Sequence, residues 1–226
     1  MDDIGWLLNG PVLLFLSKGL LNTILLTAVC ACISLFFGIL IAAGRTMGWP
    51  IVSYPCLIYT EVLRGLPVLL LIFAVYFGSG EVTGVGFTPM IAGVVALSAY
   101  TSAVVAEIVR AGLKSVETNT VQAAEAQGFS GSQIFFMIRL PVALRRMSPA
   151  LVTQLTSLVK TTSLVVVIGL PEFLHHAMIV ASAPPFRAIP VYLLVGIVYF
   201  LVNITISSLG RKFTTRDIGG IARVSR

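Results

Sequence analysis

The stretch QAAEAQGFSGSQIFFMIRLP, Gln122–Pro141, is polar at its start and interrupted by glycines, although long apolar runs lie on either side of it. The alanines of 121–127 are strong helix formers with little side-chain bulk, and they predict a short helix there. Gly128 follows at the position where helices commonly end in a left-handed residue. We therefore expect a short helix that ends at a tight glycine corner.

A second helix is predicted directly after this corner. Ser130 and Gln133 have the spacing of a capping box, in which the two side chains satisfy free backbone N–H groups at a helix start. We expect this helix to end near Leu140–Pro141, because proline disfavours helical geometry in the residue before it. The two helices predict a compact knob with a smooth alanine face. From local signals alone, an ordinary interfacial loop explains the stretch equally well.

The composition of the chain indicates a membrane protein. Of its 226 residues, 57% are hydrophobic and 11% are charged, and the mean hydropathy is +0.99. Soluble domains carry about a quarter charged residues. The apolar excess is more than one buried core of this length requires, so lipid is expected to be the second solvent.

Five apolar runs are long enough to cross a bilayer, since each has about 20 residues. In lipid such runs form helices or a closed barrel, and their unalternating composition excludes a barrel. The fold class is therefore all-α, one polytopic membrane domain over residues 1–226 with a loop over 110–149 between the third and fourth spans. The apolar stretch GPVLLFLS before the first span is interpreted as an interfacial segment. The spans are predicted at about 20–43, 51–77, 90–109, 150–170 and 189–209.

Basic residues are distributed unequally between the two sides of these spans. Eleven fall on one side and two on the other, while Arg64 and Lys160 lie within spans. By the positive-inside rule we expect the N-terminus outside, and the C-terminus and the knob in the cytoplasm. The net charge of +6 follows from this topology and does not indicate nucleic-acid binding. The eleven are Arg45, Arg110, Lys114, Arg139, Arg145, Arg146, Arg211, Lys212, Arg216, Arg223 and Arg226, and the two are Lys18 and Arg187.

The knob resembles the EAA loop of binding-protein-dependent ABC importer permeases. Three further stretches are similar to motifs of the polar amino acid subfamily of these permeases, in the same order: EVLRGLPVLLLIFAVYFG, AEIVRAGLKSV and LVKTTSLVVVIGLPEF. The likeness covers about residues 19–213, which is nearly the whole chain. The residues that carry it in the knob are Gln122, Ala123, Ala124, Gly128, Ile138, Leu140 and Pro141.

The resemblance implies a transport subunit of a bacterial inner membrane that is not itself an enzyme. In this family the EAA loop forms a coupling helix that docks on the ATP-hydrolysing subunit. The implied partners are a dimer of ATPase subunits, which bind ATP and Mg, a second permease chain that is identical or paralogous, and a periplasmic or extracellular solute-binding protein. The implied cargo is a polar amino acid, and no cofactor is expected in this chain.

Three residues depart from the family pattern. Gln122 stands where the family has the glutamate that names the loop, which keeps hydrogen bonding and removes a charge. Thr161 replaces an aspartate that is usual in the subfamily, and Tyr100 replaces a common asparagine. The last two fall in the expected substrate region. The resemblance and a lysine in the fourth span favour an acidic or neutral polar amino acid as cargo, while basic amino acids, opines and related zwitterions stay open.

Ionisable residues inside the spans are candidates for a substrate pathway, since such groups are costly in lipid and usually functional. Lys160, followed by Thr161 and Thr162, lies near the centre of the fourth span. It can meet a substrate carboxylate, or it can pair with Glu61 or Glu107. The sequence alone supports both interpretations.

Two glutamates are each followed by an arginine three positions later, which places both side chains on one helix face. Glu61 and Arg64 precede Pro67, which opens the helix hydrogen-bond ladder. This pair therefore indicates either a structural kink or a substrate contact at an interrupted helix. Glu107 and Arg110 lie at the end of the third span and predict a structural pair.

Weaker candidates lie on the third and fourth spans. Tyr100, Thr101 and Ser102 form a polar patch in the third span, where helix–helix hydrogen bonds are favoured over substrate contact. Gln154, toward the cytoplasmic side of the fourth span, could line a path. No metal site is expected, because the two cysteines of the first span point to different helix faces and the paired histidines after the fourth fit an outer gate segment.

Two other function classes fit parts of the sequence. GFSG, 128–131, matches the Gly-x-Ser-Gly pattern of rhomboid proteases, but the predicted topology puts roughly 30 Å of hydrocarbon between Ser130 and His175. A nucleophile and its base must lie within hydrogen-bond reach, so this class is rejected. A stand-alone secondary carrier or channel is the remaining alternative, although carriers commonly show internal repeats and we detect none. The sequence has no phosphate-binding Gly-x-x-x-x-Gly-Lys-Ser/Thr loop, so ATP is expected on a partner.

Overall fold

A computed structural model describes residues 7, 9–46, 49–116, 118–183 and 188–218. Nearly all of these residues are helical and no strand occurs among them, so the all-α fold class is confirmed. Arg187, Arg223 and Arg226, which enter the orientation argument, lie outside the described residues. The helices are α1 (Gly10–Thr46), α2 (Pro50–Gly65), α3 (Val68–Thr83), α4 (Pro89–Lys114), α5 (Thr118–Ala126), α6 (Gly131–Gln133), α7 (Leu140–Thr161), α8 (Phe173–Ser182) and α9 (Ala188–Ile218). A π-helical turn (Ile134–Arg139) joins α6 to α7, and a 3₁₀ segment (Thr162–Ile168) follows α7.

Four helical segments of the described chain are long and apolar enough to cross a membrane. A fifth crossing exists only if α2 and α3 together count as one, and these two helices are bent by 108° relative to each other. The polytopic architecture is thus confirmed. The four segments are Gly10–Thr46, Pro89–Lys114, Gly131–Ile168 and Ala188–Lys212.

The second predicted span, 51–77, is divided by this bend. Leu66 has extended backbone geometry (φ −87°, ψ 138°), as expected of the residue before a proline, and α3 starts directly after Pro67. Pro67 was expected to open the hydrogen-bond ladder, but a 108° change of direction is far larger than a kink within one helix. Because the two halves meet at such an angle, they do not form a straight crossing.

The start of the chain differs from the prediction of a separate interfacial segment before the first span. The apolar stretch GPVLLFLS is the beginning of α1, which runs without interruption for 37 residues. Leu16 is buried with Phe173 and Ala177 of α8, and this packing keeps the stretch helical. At 1.5 Å per residue α1 is about 55 Å long, so it extends well beyond the hydrocarbon of a bilayer.

The sequence predicted that the helix after the glycine corner ends near Leu140–Pro141, and this prediction is wrong. It continues through Pro141 into α7, and Leu140 keeps helical geometry (φ −64°, ψ −48°). The π-helical turn explains this, because the Leu140 N–H donates to the carbonyl of Phe135, five residues back. The wider turn gives the proline ring room that a normal α-helical turn lacks.

The centre of the bundle is the contact between α1 and α4. Leu26 and Cys30 of α1 are buried in one cluster with Ala92 and Ala96 of α4. Close approach depends on Gly38, since a Cβ there would lie 2.5 Å from Cγ1 of Val105. Large apolar side chains cover the outer faces of the helices, as a bilayer requires.

Candidate functional site

The knob that the sequence predicts is present as a small folded unit between α4 and α7. Val121 and Ala124 of α5 are buried against Ile134 of the π-helical turn. Phe129 and Ile138 pack around this core and are partly buried. The knob therefore has its own apolar centre, which holds α5 in a fixed position relative to α7.

Gly128 makes the corner between α5 and α6. Its φ of +84° is left-handed, and its N–H donates to the carbonyl of Glu125 at 3.0 Å. The next N–H, of Phe129, donates to the carbonyl of Ala124 at 3.1 Å. A Cβ added at Gly128 would meet no atom within 4 Å, so the glycine is needed for its backbone conformation and not for space.

The predicted capping box is confirmed. The Gln133 N–H donates to Oγ of Ser130 at 3.4 Å, and the Ser130 N–H donates to Oε1 of Gln133 at 2.8 Å. The hydroxyl of Ser130 thus serves a helix start, which accounts for the Gly-x-Ser-Gly pattern without a protease.

The seven motif residues of the knob fall into two groups. Gln122, Ala123 and Gly128 are exposed, whereas Ala124 is buried and Ile138, Leu140 and Pro141 are partly buried. The first group forms an outer surface, Ala124 and Ile138 belong to the apolar core beneath it, and Leu140 and Pro141 begin α7. Three apolar side chains of the π-helical turn, Phe135, Phe136 and Met137, are exposed nearby in sequence.

The base of the knob is fixed where α4 crosses α7. A Cβ at Gly112 would lie 3.1 Å from Cβ of Met147, so the two helices touch closely there. The guanidinium of Arg146 donates to the carbonyl of Ser115, directly after the end of α4. These contacts join the knob to two membrane-spanning helices.

An ion-pair cluster lies near the same end of α4. The carboxylate of Glu107 accepts from Arg110, as predicted, and also from Arg45 of α1, whose Nη1 lies 2.6 Å from Oε2. Arg45 was not anticipated, because it is 62 residues away in sequence and no local pattern pairs it with Glu107. With two arginines on it, Glu107 is not the partner of Lys160.

Lys160 lies in a groove of about 480 Å³ between α7 and α9. Its side chain is exposed, and no carboxylate of the described residues lies within 4 Å of it. Neither of the two ion pairs considered for it is formed. The polar residues that line the groove with it are Thr156, Tyr199, Asn203 and Ser207.

The two threonines after Lys160 turn their hydroxyls to their own helix. Thr161 Oγ1 donates to the carbonyl of Ser157 at 2.9 Å, and the buried Thr162 donates to the carbonyl of Val159 at 2.7 Å. Such bonds one turn back are the structural alternative for these residues.

The remaining pathway candidates lie elsewhere in the bundle. Thr101 and Gln154 line one cavity of about 230 Å³ among α1, α4 and α7. Ser102 is buried, and its hydroxyl lies 2.8 Å from the Ala99 carbonyl and 2.9 Å from the Tyr59 hydroxyl, a helix–helix contact.

Glu61 and Arg64 are exposed on α2, with their charged atoms 3.7 Å apart, and Tyr100 is half-buried on α4. Within this single chain, the candidates therefore do not converge on one pocket.

A buried carboxylate that is not among the candidates predicted from sequence joins three helices. Glu172 is fully buried at the start of α8, where Oε1 accepts the N–H of His175 at 2.7 Å. Its Oε2 accepts from the hydroxyls of Tyr199 of α9 (3.1 Å) and Thr23 of α1 (3.4 Å). The only local signal is an acidic residue at a helix start, the preferred end for a negative charge.

Glu172 lies outside the spanning segments, and its burial raises the pKa of the carboxyl above the ordinary value. The backbone N–H groups of Leu174 and His175 act in the opposite direction. Since desolvation is the largest influence, the carboxyl holds its proton more tightly in the folded chain.

Comparisons with known proteins agree with this architecture. The family model of the binding-protein-dependent transport system inner membrane component matches residues 17–216. The chain is 38% identical to the probable glutamine ABC transporter permease protein GlnP of Bacillus subtilis, over 96% of this chain and all of the relative. It is 30% identical to the arginine transport system permease protein ArtQ of the same organism, over 92% and 96% of the two chains.

Solved structures show the same fold. A chain from the crystal structure of an amino acid ABC transporter with histidines superposes with a TM-score of 0.87 and 27% identity, over 96% of this chain and 99% of that one. A chain of the inward-facing MetNI methionine ABC transporter superposes with a TM-score of 0.78 over 92% and 99% of the two chains, and at 18% identity it supports the fold alone. The chain thus belongs to the family of binding-protein-dependent transport system inner membrane components and is an ABC transporter permease.

Proposed function

We propose that this chain is the permease subunit of an ATP-driven importer for a polar amino acid and that the knob couples it to a separate ATPase. The observation that carries the proposal is the division of the knob into an exposed surface (Gln122, Ala123 and Gly128) and a buried core that supports it. A surface that transmits force has to be both accessible and rigid. The glutamine and arginine permeases among its relatives support an amino acid as cargo.

The proposed transporter has two permease chains, identical or paralogous, and two ATPase subunits that bind ATP and Mg. A solute-binding protein delivers the amino acid from outside. The excess of basic residues on the knob side supports a cytoplasmic knob and C-terminus and an outer N-terminus in a bacterial inner membrane. The contacts of Gly112 with Met147 and of Arg146 with Ser115 would carry motion of the knob to α4 and α7.

Gln122 sets the chemistry of docking in this proposal. It is exposed beside Ala123 and carries an amide, so it offers hydrogen bonds to the ATPase but no ion pair. Replacement by glutamate would add a negative charge and no bulk. We expect Gln122→Glu to change the salt dependence of docking more than its geometry, because charged contacts are screened by salt.

Lys160 is the proposed contact for the amino acid carboxylate. It is a cation on a membrane-spanning helix, it lacks a carboxylate partner among the described residues, and it lines a groove with several polar side chains. A lysine in that situation is costly unless an anion or water meets it. Thr101 and Gln154, which line a separate cavity in this chain, are proposed to form the part of the path on the knob side of Lys160, with each permease chain contributing half of the pathway.

The test is substrate-stimulated ATP hydrolysis and uptake by the complete transporter in lipid vesicles. Gly128→Ala is compared with Gly131→Ala, because each adds one methyl group to an exposed glycine with no atom within 4 Å, and only Gly128 has a positive φ. Alanine in left-handed geometry costs roughly 1–2 kcal/mol. We expect Gly128→Ala to lower the number of amino acids carried per ATP, whereas Gly131→Ala leaves it unchanged.

If both variants carried the same number of amino acids per ATP, the knob would have no role in coupling. Lys160→Ala tests the proposed substrate contact independently of the knob. It should raise the substrate concentration for half-maximal uptake and leave the basal ATPase rate unchanged. Uptake that proceeds without any ATPase subunit would instead support the stand-alone carrier.

A further inference from the structure

A large apolar cleft lies beside α4 and is lined by residues other than those that make the proposed coupling contacts with α7. It encloses about 560 Å³ between α1, α2 and α4. The proposed transport pathway uses none of its apolar lining. The principal residues that line it are Ile33, Phe37, Ile41, Cys56, Val95 and Ala99.

The walls of the cleft are mostly apolar side chains, and few polar groups on them are free to bind a ligand. The Tyr59 hydroxyl at its wall donates to the carbonyl of Ala99 at 3.1 Å and lies 2.9 Å from Oγ of Ser102. Ser102 in turn donates to the carbonyl of Ala99 at 2.8 Å. Since these hydroxyls are engaged with each other and with the backbone, the cleft suits an apolar occupant and not a zwitterionic amino acid.

The surface around the cleft is continuous with the face that meets the bilayer. Phe36 and Leu40 of α1, Ile58 of α2 and Ile91 of α4 are all exposed apolar side chains. Both α1 and α4 are membrane-spanning helices of this permease. A cleft in such a face is bathed in acyl chains, and an unfilled apolar space would forfeit dispersion contacts with its walls.

One end of the cleft leads to positive charge. Ile33, Phe37 and Ile41 recur at four-residue spacing along α1, so they share one helix face, and the next residue on that face is Arg45. Arg45 and Arg110 share the single carboxylate of Glu107, which leaves this cluster with one net positive charge.

The nearby Glu61–Arg64 pair adds no net charge to this end. Trp49 and Tyr54, at the start of α2, are exposed, and such amphipathic aromatic residues concentrate at membrane–water interfaces. The Arg45 end therefore lies at the level of the lipid head groups, where basic pockets between spanning helices attract anionic lipids.

We propose that this cleft binds one acyl chain of an anionic phospholipid, with the phosphate at the Arg45 and Arg110 end. The lipid fills the space that α2 leaves against α1 and α4 and holds the bent α2–α3 pair in place. The other occupant that an apolar groove on a permease could take is a helix of the second permease chain, and the experiment separates the two.

The probe is a phosphatidylglycerol with a photoreactive diazirine on one acyl chain, used with the complete transporter in nanodiscs. Cross-linked peptides are measured by mass spectrometry. We expect roughly fivefold more labelling of the peptides that contain 33–41 and 94–102 than of the exposed face of α9. A phosphatidylcholine with the same chain should label these peptides severalfold less.

Two variants fill the cleft, and a third is the matched control. Ala99→Phe should abolish the excess labelling, and Val95→Phe fills the cleft from its rim if the first variant fails to assemble. Ala74→Phe makes the same change as Ala99→Phe at an exposed alanine of α3 and should leave the labelling unchanged.

The proposal would be overturned if the cleft peptides were labelled no more than the exposed face of α9. It would also be overturned if the excess labelling persisted in both variants that fill the cleft. Equal labelling by phosphatidylcholine would overturn the assignment of the phosphate end. Protection of the cleft from both lipids, with Cys56 cross-linking to the second permease chain, would show a protein interface in its place.

Discussion

Two glutamate–arginine pairs in this permease have the same spacing in sequence and different surroundings in the structure. Glu107 and Arg110 lie at the end of α4, where Arg45 from α1 also binds the carboxylate, and Glu107 is 24% exposed. Glu61 and Arg64 lie on α2 with 3.7 Å between their charged atoms, and Glu61 is 61% exposed. A spacing of three residues on a helix shows that two side chains can form an ion pair. Whether that pair also connects two helices depends on a charged residue of the neighbouring helix, as Arg45 shows.

The largest effect should come from Glu107→Ala. This change leaves two partly buried guanidinium groups without their carboxylate and removes the ion pair between α1 and α4. We expect a loss of about 2 kcal/mol in the free energy of unfolding, since hydrogen bonds to charged groups are worth about 1.5–3 kcal/mol. Thermal unfolding of the purified transporter measures it, with Glu61→Ala as the matched control. A midpoint shift no larger than that of the control would contradict the anchoring role.

Arg45→Ala should have the next largest effect. Glu107 keeps Arg110 in this variant, so the carboxylate is not stranded, and only the link to α1 is lost. We expect about 1 kcal/mol of destabilisation. A double-mutant cycle with Glu107→Ala should show strong coupling between the two changes. Additive effects would mean that the contact between α1 and α4 does not depend on this pair.

Glu172 is a third kind of carboxylate, since it is buried and its partners among the described residues are hydroxyl and N–H groups instead of an arginine. Its pKa is raised on folding, so the folded chain binds the proton more tightly than the unfolded chain. The stability that this gives is complete below the ordinary pKa of about 4.3 and is lost as the pH rises through the folded-state value.

We therefore expect the thermal midpoint of the wild type to fall more steeply than that of Glu172→Gln as the pH rises above about 4.3, the ordinary pKa of a glutamate. The two proteins differ only at position 172, so the difference between the two curves isolates Glu172. Parallel curves would show that the proton on this carboxyl does not contribute to stability.

Glu61→Ala should have the smallest effect on stability, below about 0.5 kcal/mol, because exposed ion pairs contribute little. It is also the variant that separates the two interpretations of this pair. Unchanged uptake would make it a surface pair at the bend, whereas a loss of uptake without a loss of stability would place it on the substrate path.

Features that depend on neighbours in sequence could be predicted. The corner at Gly128 and the capping box of Ser130 and Gln133 involve residues no more than five apart, and they are present as expected. The membrane-spanning helices could likewise be predicted, because the length and the composition of each apolar run are read directly from the sequence. Local chemistry determines these features, so no knowledge of the rest of the fold is needed.

Features that depend on distant residues could not be predicted. The contact of Thr23 with Glu172 joins positions 149 apart, and Arg45 reaches Glu107 across 62 residues. The continuation of the helix through Pro141 depends on a π-helical turn that no local preference signals. The candidate substrate path shows the same limit, since polar residues in neighbouring spans proved to lie in separate cavities.

The π-helical turn of Ile134–Arg139 has a mechanical consequence. A π-helical turn holds one residue more than an α-helical turn, and each residue of an α-helix turns the chain by about 100°. Conversion of this turn to α geometry would therefore rotate everything beyond it by about that angle relative to the knob. Lys160 is on the far side of this turn and the docking surface is on the near side. A gain or loss of one residue in this turn would therefore change the direction in which Lys160 faces relative to the knob.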